Sequence, residues 1–419
     1  MPYLKGIFSP PGDKSISHRL ALFAILASGR CVVSNCLPGE DVQSSLKALK
    51  SLGGNFETND FVNVIINGLN GKTKSNANID CGNSGTTMRL ITGVLAGRDG
   101  NFVLDGDDSL RKRPMERIAI PIRQMSGNIS TKDGKCPINI KGKSLQGIEY
   151  KLPVASAQLK SAVLLAGIQA SGKTTVIETT VSRDHTERLI SQMGGNISQV
   201  DNSWIVQKSD LHLPENFYVP GDPSSAAFFL CASALLDGSF TTAKKTLLNP
   251  TRIGFLDVLK RMNVDIKIDS QNDMTEPIGD IHVSFSPDIK STIIKPEEIP
   301  SLVDEVPILS LVATQAKGST VFEGVQELRI KETDRLEAIS TQLNRMGAKI
   351  ESTEDTLTIH GPTPLKSVQH LESFGDHRIA MTLRLAGLLT DGNPEIAEEN
   401  CVSISYPDFH DTLKNLLNS

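Results

Sequence analysis

Long apolar runs are missing from this chain. Hydrophobic residues make up 39% of it, and no stretch approaches the roughly 20 apolar residues that a membrane-spanning helix needs. Met1 to Ser9 lacks a signal-peptide pattern, and no long Ser/Arg-rich transit segment follows, so a cytoplasmic location is the expectation. Strong charge of one sign is missing too: a net charge of -5 gives no reason to expect nucleic acid or an acidic membrane as partner. The cysteines, at 31, 36, 81, 136, 231 and 401, form no CxxC pair and have no histidine nearby at zinc spacing. They are expected to be reduced and mostly buried, with no metal and no cofactor. Low-complexity linkers are absent. What remains has the composition of a soluble α/β protein, and 419 residues suffice for two or three domains with cores of their own.

What is present repeats. PGDKSISHRLALFAILASG, from Pro11, returns at Pro220 as PGDPSSAAFFLCASALLDG. Each copy has Pro-Gly-Asp, a serine-bearing helix start, an apolar helix and a closing glycine. The closing glycines recur six times, at Gly29, Gly100, Gly172, Gly238, Gly318 and Gly392, 66 to 80 residues apart. A second signal has the same period. Leu52, Met125, Met193, Met262 and Met346 each sit in a segment that reads helix, tight turn, strand. A period of about 70 is too long for an ordinary solenoid repeat. The reading is a sixfold internal repeat in two similar domains, residues 14–221 and residues 1–13 with 222–419. The chain crosses between them near Gly12 and Gly221, where a hinge would allow closure over a ligand. Surface loops are expected at Gly68–Asn78, Lys132–Lys143 and Asp269–Gly279.

Polar chemistry gathers at helix starts, where free N–H groups and the positive dipole end favour anions. Lys14, Ser15 and Arg19 share the first turn after Pro-Pro-Gly-Asp. Gly12 is read as a residue whose backbone angles a side chain would forbid. CGNSGTTMR, Cys81 to Arg89, is a glycine-rich approach to a helix, with Gly82 and Gly85 removing side-chain bulk. DSLRKRPM holds Arg113 beside Pro114, and is otherwise a solvated loop. Ser156, Gln158 and Lys160 open another apolar helix. Asp304 and Glu305 are adjacent acids before a buried helix, where acids are often mere dipole partners. In KETDRL, Lys331 and Arg335 lie four apart on one helical face, with Glu332 within reach of Arg335. A salt-bridge-laced surface helix is the alternative. Asp376, His377 and Arg378 stand at one more helix start.

GIQASGKT, Gly167 to Thr174, matches the P-loop pattern, but a P-loop needs a strand before it and a helix after it. Here a helical pattern precedes and a β-branched run follows. A P-loop NTPase is rejected on element order.

Taken together and in this order, PGDKSISHR, GNSGTTMR, LRKRPM, SAQLKSA, KETDRL and GDHRIAM resemble the 3-phosphoshikimate 1-carboxyvinyltransferase family along the whole chain. The resemblance implies the α/β enolpyruvyl transferase fold, two domains of three βαβαββ repeats each closing on a central cleft. It implies transfer of a carboxyvinyl group from phosphoenolpyruvate to the 5-hydroxyl of shikimate 3-phosphate, both small anionic substrates; nothing in the sequence suggests more than a monomer. The implied catalytic groups are Asp304, which takes the hydroxyl proton, Glu332, which serves the methyl and methylene proton, and Lys14, at the departing phosphate. Lys14, Ser15, Arg19, Ser156, Ala157, Gln158, Asp304 and Lys331 would hold shikimate 3-phosphate. Lys14, Gly85, Arg113, Gln158, Arg335 and Arg378 would hold phosphoenolpyruvate.

Three positions depart from the common pattern and resemble the second class of the family. Ala157 stands for a serine. Arg183 replaces contacts made to the shikimate phosphate by a serine and a tyrosine. Ile404 stands where others carry a lysine. The related UDP-N-acetylglucosamine enolpyruvyl transferases carry a cysteine in the loop occupied here by DSLRKRPM, which has none. A non-catalytic repeat scaffold gives no reason for acids and bases to cluster at helix starts.

Overall fold

Two kinds of helix alternate along the chain, and their sequences say why. A computed structural model describes residues 2–271 and 275–417. Its helices are α1 (Lys14–Leu26), α2 (Glu40–Ser51), α3 (Gly85–Ala96), α4 (Glu116–Gln124), α5 (Ala157–Gly167) and α6 (His185–Gln192). They continue with α7 (Pro223–Leu235), α8 (Gly254–Arg261), α9 (Val306–Gln315), α10 (Arg335–Arg345), α11 (His377–Gly387) and α12 (Phe409–Leu417). The odd-numbered helices are largely apolar and buried on nearly every side, their charged residues lying mostly in the first turns: in α1 every residue from Ile16 to Leu26 is buried. The even-numbered ones bury a single stripe, such as Val42, Ser45, Leu46 and Leu49 of α2. No helix among the described residues is long and apolar enough to cross a membrane.

The chain divides into two compact units, one from Gly12 to Val219 and one made of the residues up to Pro11 with those from Pro220 onward. Within a unit the repeat is strand, buried helix, strand, amphipathic helix, hairpin. One copy runs through the strand Asn76–Asp80, α3, the strand Gly100–Asp105, α4, and the hairpin Asn128–Lys132 with Lys135–Gly142. Its sheet pairs the first two strands in parallel and adds the hairpin antiparallel. Four other sheets have the same order. The first repeat of each unit takes its parallel edge strand from a distant part of that unit's sequence: Asn216–Tyr218, at the end of the stretch Gly12–Val219, pairs with Arg30–Ser34, and Lys5–Phe8, before the first crossing, pairs with Phe240–Leu247. The sixth copy is abbreviated. It has two parallel strands, His370–Glu372 and Glu395–Ala397, then a 3-10 helix over Glu399–Ile404 and α12 where a hairpin would stand.

Both periodic sequence signals are corners of this unit. Leu52, Met125, Met193, Met262 and Met346 are the C-cap residues of α2, α4, α6, α8 and α10, each buried beneath the turn into a strand. Gly29, Gly100, Gly172, Gly238 and Gly318 have φ between +77° and +150° where a buried helix hands over to its strand. Close approach matters at two others. A Cβ on Gly93 of α3 would lie 2.1 Å from the carbonyl oxygen of Ala162 on α5, so glycine lets these helices touch. At Gly12 the need is also space: a Cβ would lie 1.7 Å from the carbonyl oxygen of Asn35, and its φ is not left-handed, which corrects the backbone-angle reading.

Other expectations need correcting. Lys132–Lys143 is a strand hairpin, because Cys136, Ile138 and Ile140 alternate inward. The loop at Gly68–Asn78 gives way to a strand at Asn76. The expected loop at Asp269–Gly279 is strand up to Gln271 and again from Ile278, and its residues 272–274 lie outside the described ones. At GIQASGKT the helix α5 comes first and the strand Lys173–Ile177 follows. All six cysteines are free thiols, Cys401 alone being only half-buried.

One buried group makes the first unit acid-sensitive. His18 is fully buried on α1, with Nδ1 2.8 Å from Ser45 Oγ and Nε2 without a hydrogen-bond partner among the described residues. Burial lowers its pKa to about 3; Asp41 opposes this, while Lys14 and Arg19 add to it. The unfolded chain takes up a proton near pH 6.5 that the folded chain refuses until about pH 3, so stability is full above 6.5 and falls with pH below it. Between pH 7 and pH 4 this one group should remove roughly 3 kcal/mol. Urea titrations across that range should show a shallower pH slope for His18→Asn. Equal slopes would rule His18 out as the cause.

Candidate active site

Five of the six buried helices are capped by a side chain that the sequence supplies at the boundary: Asp13, Ser84, Ser156, Asp222 and Asp376. α9 starts without such a bond, after Glu305. The caps fix where each helix begins, and so where the polar residues beside them sit.

In the first unit three helix starts contribute. At α1, Asp13 accepts from the Ile16 amide at 2.8 Å, and the Lys14 ammonium meets Asp41 at 2.5 Å. Ser15 is half-buried beside it. At α3, Gly85 is the first helical residue, and a Cβ there would come 3.3 Å from Arg89 Nη1 and 3.4 Å from Arg113 Nη1. Two guanidinium groups therefore flank this glycine. Arg89 donates to Gln158 Oε1 at 2.5 Å, Gln158 donates to Thr86 Oγ1 at 3.0 Å, and Arg113 donates to Asn83 Oδ1 at 2.9 Å. At α5, Ser156 is the cap and Ala157 the first helical residue. Arg113 follows a short 3-10 helix over Leu110–Lys112 within the expected loop.

Arg19 is turned inward. It is 3% exposed and donates to Thr186 Oγ1 at 2.7 Å and Ser161 Oγ at 2.8 Å, joining α1 to α5 and α6. Arg183 stands on the segment leading into α6 and is half-buried.

In the second unit one cation is surrounded by acids. Arg335 opens α10 and is 2% exposed. Its guanidinium reaches Asp376 at 2.7 Å, Glu332 at 2.7 Å and Asp304 at 3.1 Å. Burial works against its charge, but Asp376, Glu332 and Asp304 outweigh it and raise the pKa above the ordinary arginine value. Arg378 lies 3.7 Å from the other Asp304 oxygen and donates to the Asp304 carbonyl at 3.4 Å. Asp376 also caps α11, accepting from the Arg378 amide at 2.8 Å. Burial lowers the Lys331 ammonium, against the pull of Asp304.

The helical placement of KETDRL is corrected. Lys331 and Glu332 lie between a 3-10 helix, Gln326–Ile330, and the start of α10, because Asp334 caps α10 by accepting from the Glu337 amide. Glu332 consequently swings back to Arg335 from a loop. Ile404 ends the 3-10 helix of the sixth repeat. Asp41, Arg89 and Asp376 hold the expected residues in place and went unremarked or unassigned in the sequence. The only signal for Arg89 was its position four residues after Gly85. Among the described residues no group of three or more His, Cys, Asp or Glu side chains is arranged to hold a metal ion.

A repeated α/β unit presenting Lys and Arg at its helix starts is the class of architecture found in the enolpyruvyl transferases. The enolpyruvyl transferase NikO from Streptomyces tendae has this fold, at a TM-score of 0.79 over 99% of this chain and 95% of that one, with 16% identity that speaks for the fold alone. A structure of EPSP synthase from Acinetobacter baumannii agrees more closely, at a TM-score of 0.88 and 38% identity over 99% and 96% of the two chains. Curated relatives named 3-phosphoshikimate 1-carboxyvinyltransferase are 46% identical in Thermodesulfovibrio yellowstonii and 43% in Bacillus licheniformis, each over 99% of this chain and 97% of the relative. The EPSP synthase (3-phosphoshikimate 1-carboxyvinyltransferase) family matches residues 2–413, and the chain belongs to it.

Proposed function

We propose that the chain transfers the carboxyvinyl group of phosphoenolpyruvate to the 5-hydroxyl of shikimate 3-phosphate and releases phosphate, a step toward chorismate and the aromatic amino acids. The observation that carries this reading is the family match over residues 2–413, beside relatives of that name 43% and 46% identical over 99% of this chain. The chemistry suits the residues. Both substrates are dense anions, which call for Arg and Lys at helix starts. Lys14, Ser15, Arg19, Ser156, Ala157, Gln158, Arg183, Asp304 and Lys331 bind shikimate 3-phosphate in this reading. Lys14, Gly85, Arg113, Gln158, Arg335 and Arg378 bind phosphoenolpyruvate.

The reaction needs acid and base groups and no covalent enzyme intermediate. Glu332 gives a proton to the methylene carbon of phosphoenolpyruvate as Asp304 takes the proton of the attacking hydroxyl. A carbon–oxygen bond forms at the central carbon. The tetrahedral adduct then loses phosphate, steadied by Lys14, while Glu332 recovers its proton from the new methyl group; the departing phosphate carries off the proton that Asp304 took, so both acids end as they began. The test is phosphate release from phosphoenolpyruvate with shikimate 3-phosphate in one arm and UDP-N-acetylglucosamine in the other. Release only in the second arm would overturn the reading.

Gly85 carries a prediction here. The atoms that a methyl would press are the far ends of two flexible side chains, Arg89 and Arg113, so Gly85→Ala should fold normally and shift those guanidinium groups. Glyphosate, a slightly longer anion than phosphoenolpyruvate at the same site, should lose more affinity, by about 1–3 kcal/mol. The inhibition constant and the donor Michaelis constant are to be measured together. Equal changes would mean that Gly85 does not gauge ligand length.

A further inference from the structure

Lys160 is a charged residue in a helix that is otherwise core. It lies on α5, one turn beyond Ser156, and its side chain is 0% exposed. A buried ammonium needs oxygens around it, and three lie close: Glu187 Oε1 at 2.7 Å and Glu178 Oε1 at 3.0 Å as ion-pair partners, and the Ser182 carbonyl, to which it donates at 3.2 Å. These three partners are the beginning, middle and end of the segment 178–187, which leads from the strand Lys173–Ile177 into α6 and carries Arg183. The segment is tied further at Glu178. Its Oε1 accepts from the Ser182 amide at 2.9 Å and the Ser182 hydroxyl at 2.7 Å, and its Oε2 from Trp204 Nε1 at 3.2 Å. Burial raises the Glu187 carboxyl above its ordinary pKa, while Lys160 pulls it back. Apolar residues of similar volume would commonly be at least as stable as such a buried ionic group, so its presence points to what it holds in place.

We propose that Lys160 is a positioning residue for acceptor recognition: by fastening the segment 178–187 to α5, it keeps Arg183 in register with Ser156 and Gln158 to meet the phosphate of shikimate 3-phosphate. This rests on the reading above in which Arg183 contacts that phosphate. Lys160 itself touches no substrate. Its loss therefore acts through Arg183, and on one substrate of the two.

The experiment measures kcat and both Michaelis constants on the full-length enzyme, with calorimetric binding of shikimate 3-phosphate. Lys160→Met should raise the constant for shikimate 3-phosphate roughly tenfold by misplacing Arg183. The constant for phosphoenolpyruvate should stay within about twofold. Arg183→Gln should give a similar rise, and the double variant should be no worse than Arg183→Gln alone, since the two act as one. Ser182→Ala leaves the buried ions in place and loosens the same segment, so it should show a smaller, equally selective rise. It decides the matter if Lys160→Met does not fold. Equal changes in both Michaelis constants, additive effects in the double variant, or an unchanged Ser182→Ala beside a weakened Arg183→Gln would each overturn the proposal. If Arg183→Gln alone leaves binding of shikimate 3-phosphate unchanged, the contact assigned to Arg183 is what has failed. If the unaltered enzyme releases no phosphate with shikimate 3-phosphate, the reaction itself has been misread.

Discussion

Replacing Asp304 by Asn should lower kcat by roughly a hundredfold or more while both substrates still bind. The two side chains have the same shape, and the amide oxygen of the replacement can still accept from Arg335, which lies 3.1 Å from Asp304. What the amide cannot do is take a proton. Asp304 is better placed for that task than Asp376. It sits just before α9 with 15% of its side chain exposed, whereas Asp376, bound to the same arginine, is fully buried. Steady-state kinetics separate two roles. A fall in kcat with little change in either Michaelis constant assigns proton transfer to Asp304. A weakened phosphoenolpyruvate constant with kcat near the original value would instead reduce it to a partner that orients Arg335 and Arg378.

The repeat was legible in the sequence because its corners use scarce chemistry. A left-handed φ at the end of a buried helix calls for glycine, and a buried C-cap calls for a bulky apolar residue, so both recur once per unit. The shortening of the sixth repeat left no such mark, since Gly392 still follows α11 although it lacks the positive φ of its five counterparts. The hairpin strand Lys135–Gly142 was hidden by lysines on its exposed face, which made an alternating strand read as a solvated loop. In the candidate site, the residue types and their helix starts were readable, but their partners were not. Sequence spacing reveals only the pair Glu332 and Arg335. The other two acids on that arginine come from 31 and 41 residues away and meet it through the packing of α9 and α11 beside α10. The inward turn of Arg19 likewise depends on Ser161 and Thr186, hydroxyls that no local pattern marks.

Arg335→Met should cost both stability and turnover, and the two losses can be separated. The guanidinium balances three carboxylates, of which Asp376 is fully buried and occupied as the cap of α11. Methionine fills much of the volume but leaves that carboxylate without its cation. Breaking a buried ion pair from one side costs about 3–5 kcal/mol. In a unit of this size such a loss corresponds to a fall in melting temperature on the order of 10 °C. Lys would restore the charge, yet its single ammonium cannot reproduce a planar fork bonded to Asp376, Asp304 and Glu332 at once, so Arg335→Lys should recover only part of the stability. Turnover should drop more than a hundredfold in either variant, because Arg335 also orients both proposed proton-transfer groups. Adding Asp376→Asn to Arg335→Met removes the stranded charge, and should return part of the lost stability without returning activity. Scanning calorimetry beside phosphate-release assays reads both quantities. A single variant that melts within a degree or two of the original protein would show that water or side-chain rearrangement satisfies Asp376, and that the arginine is held there for the substrate alone.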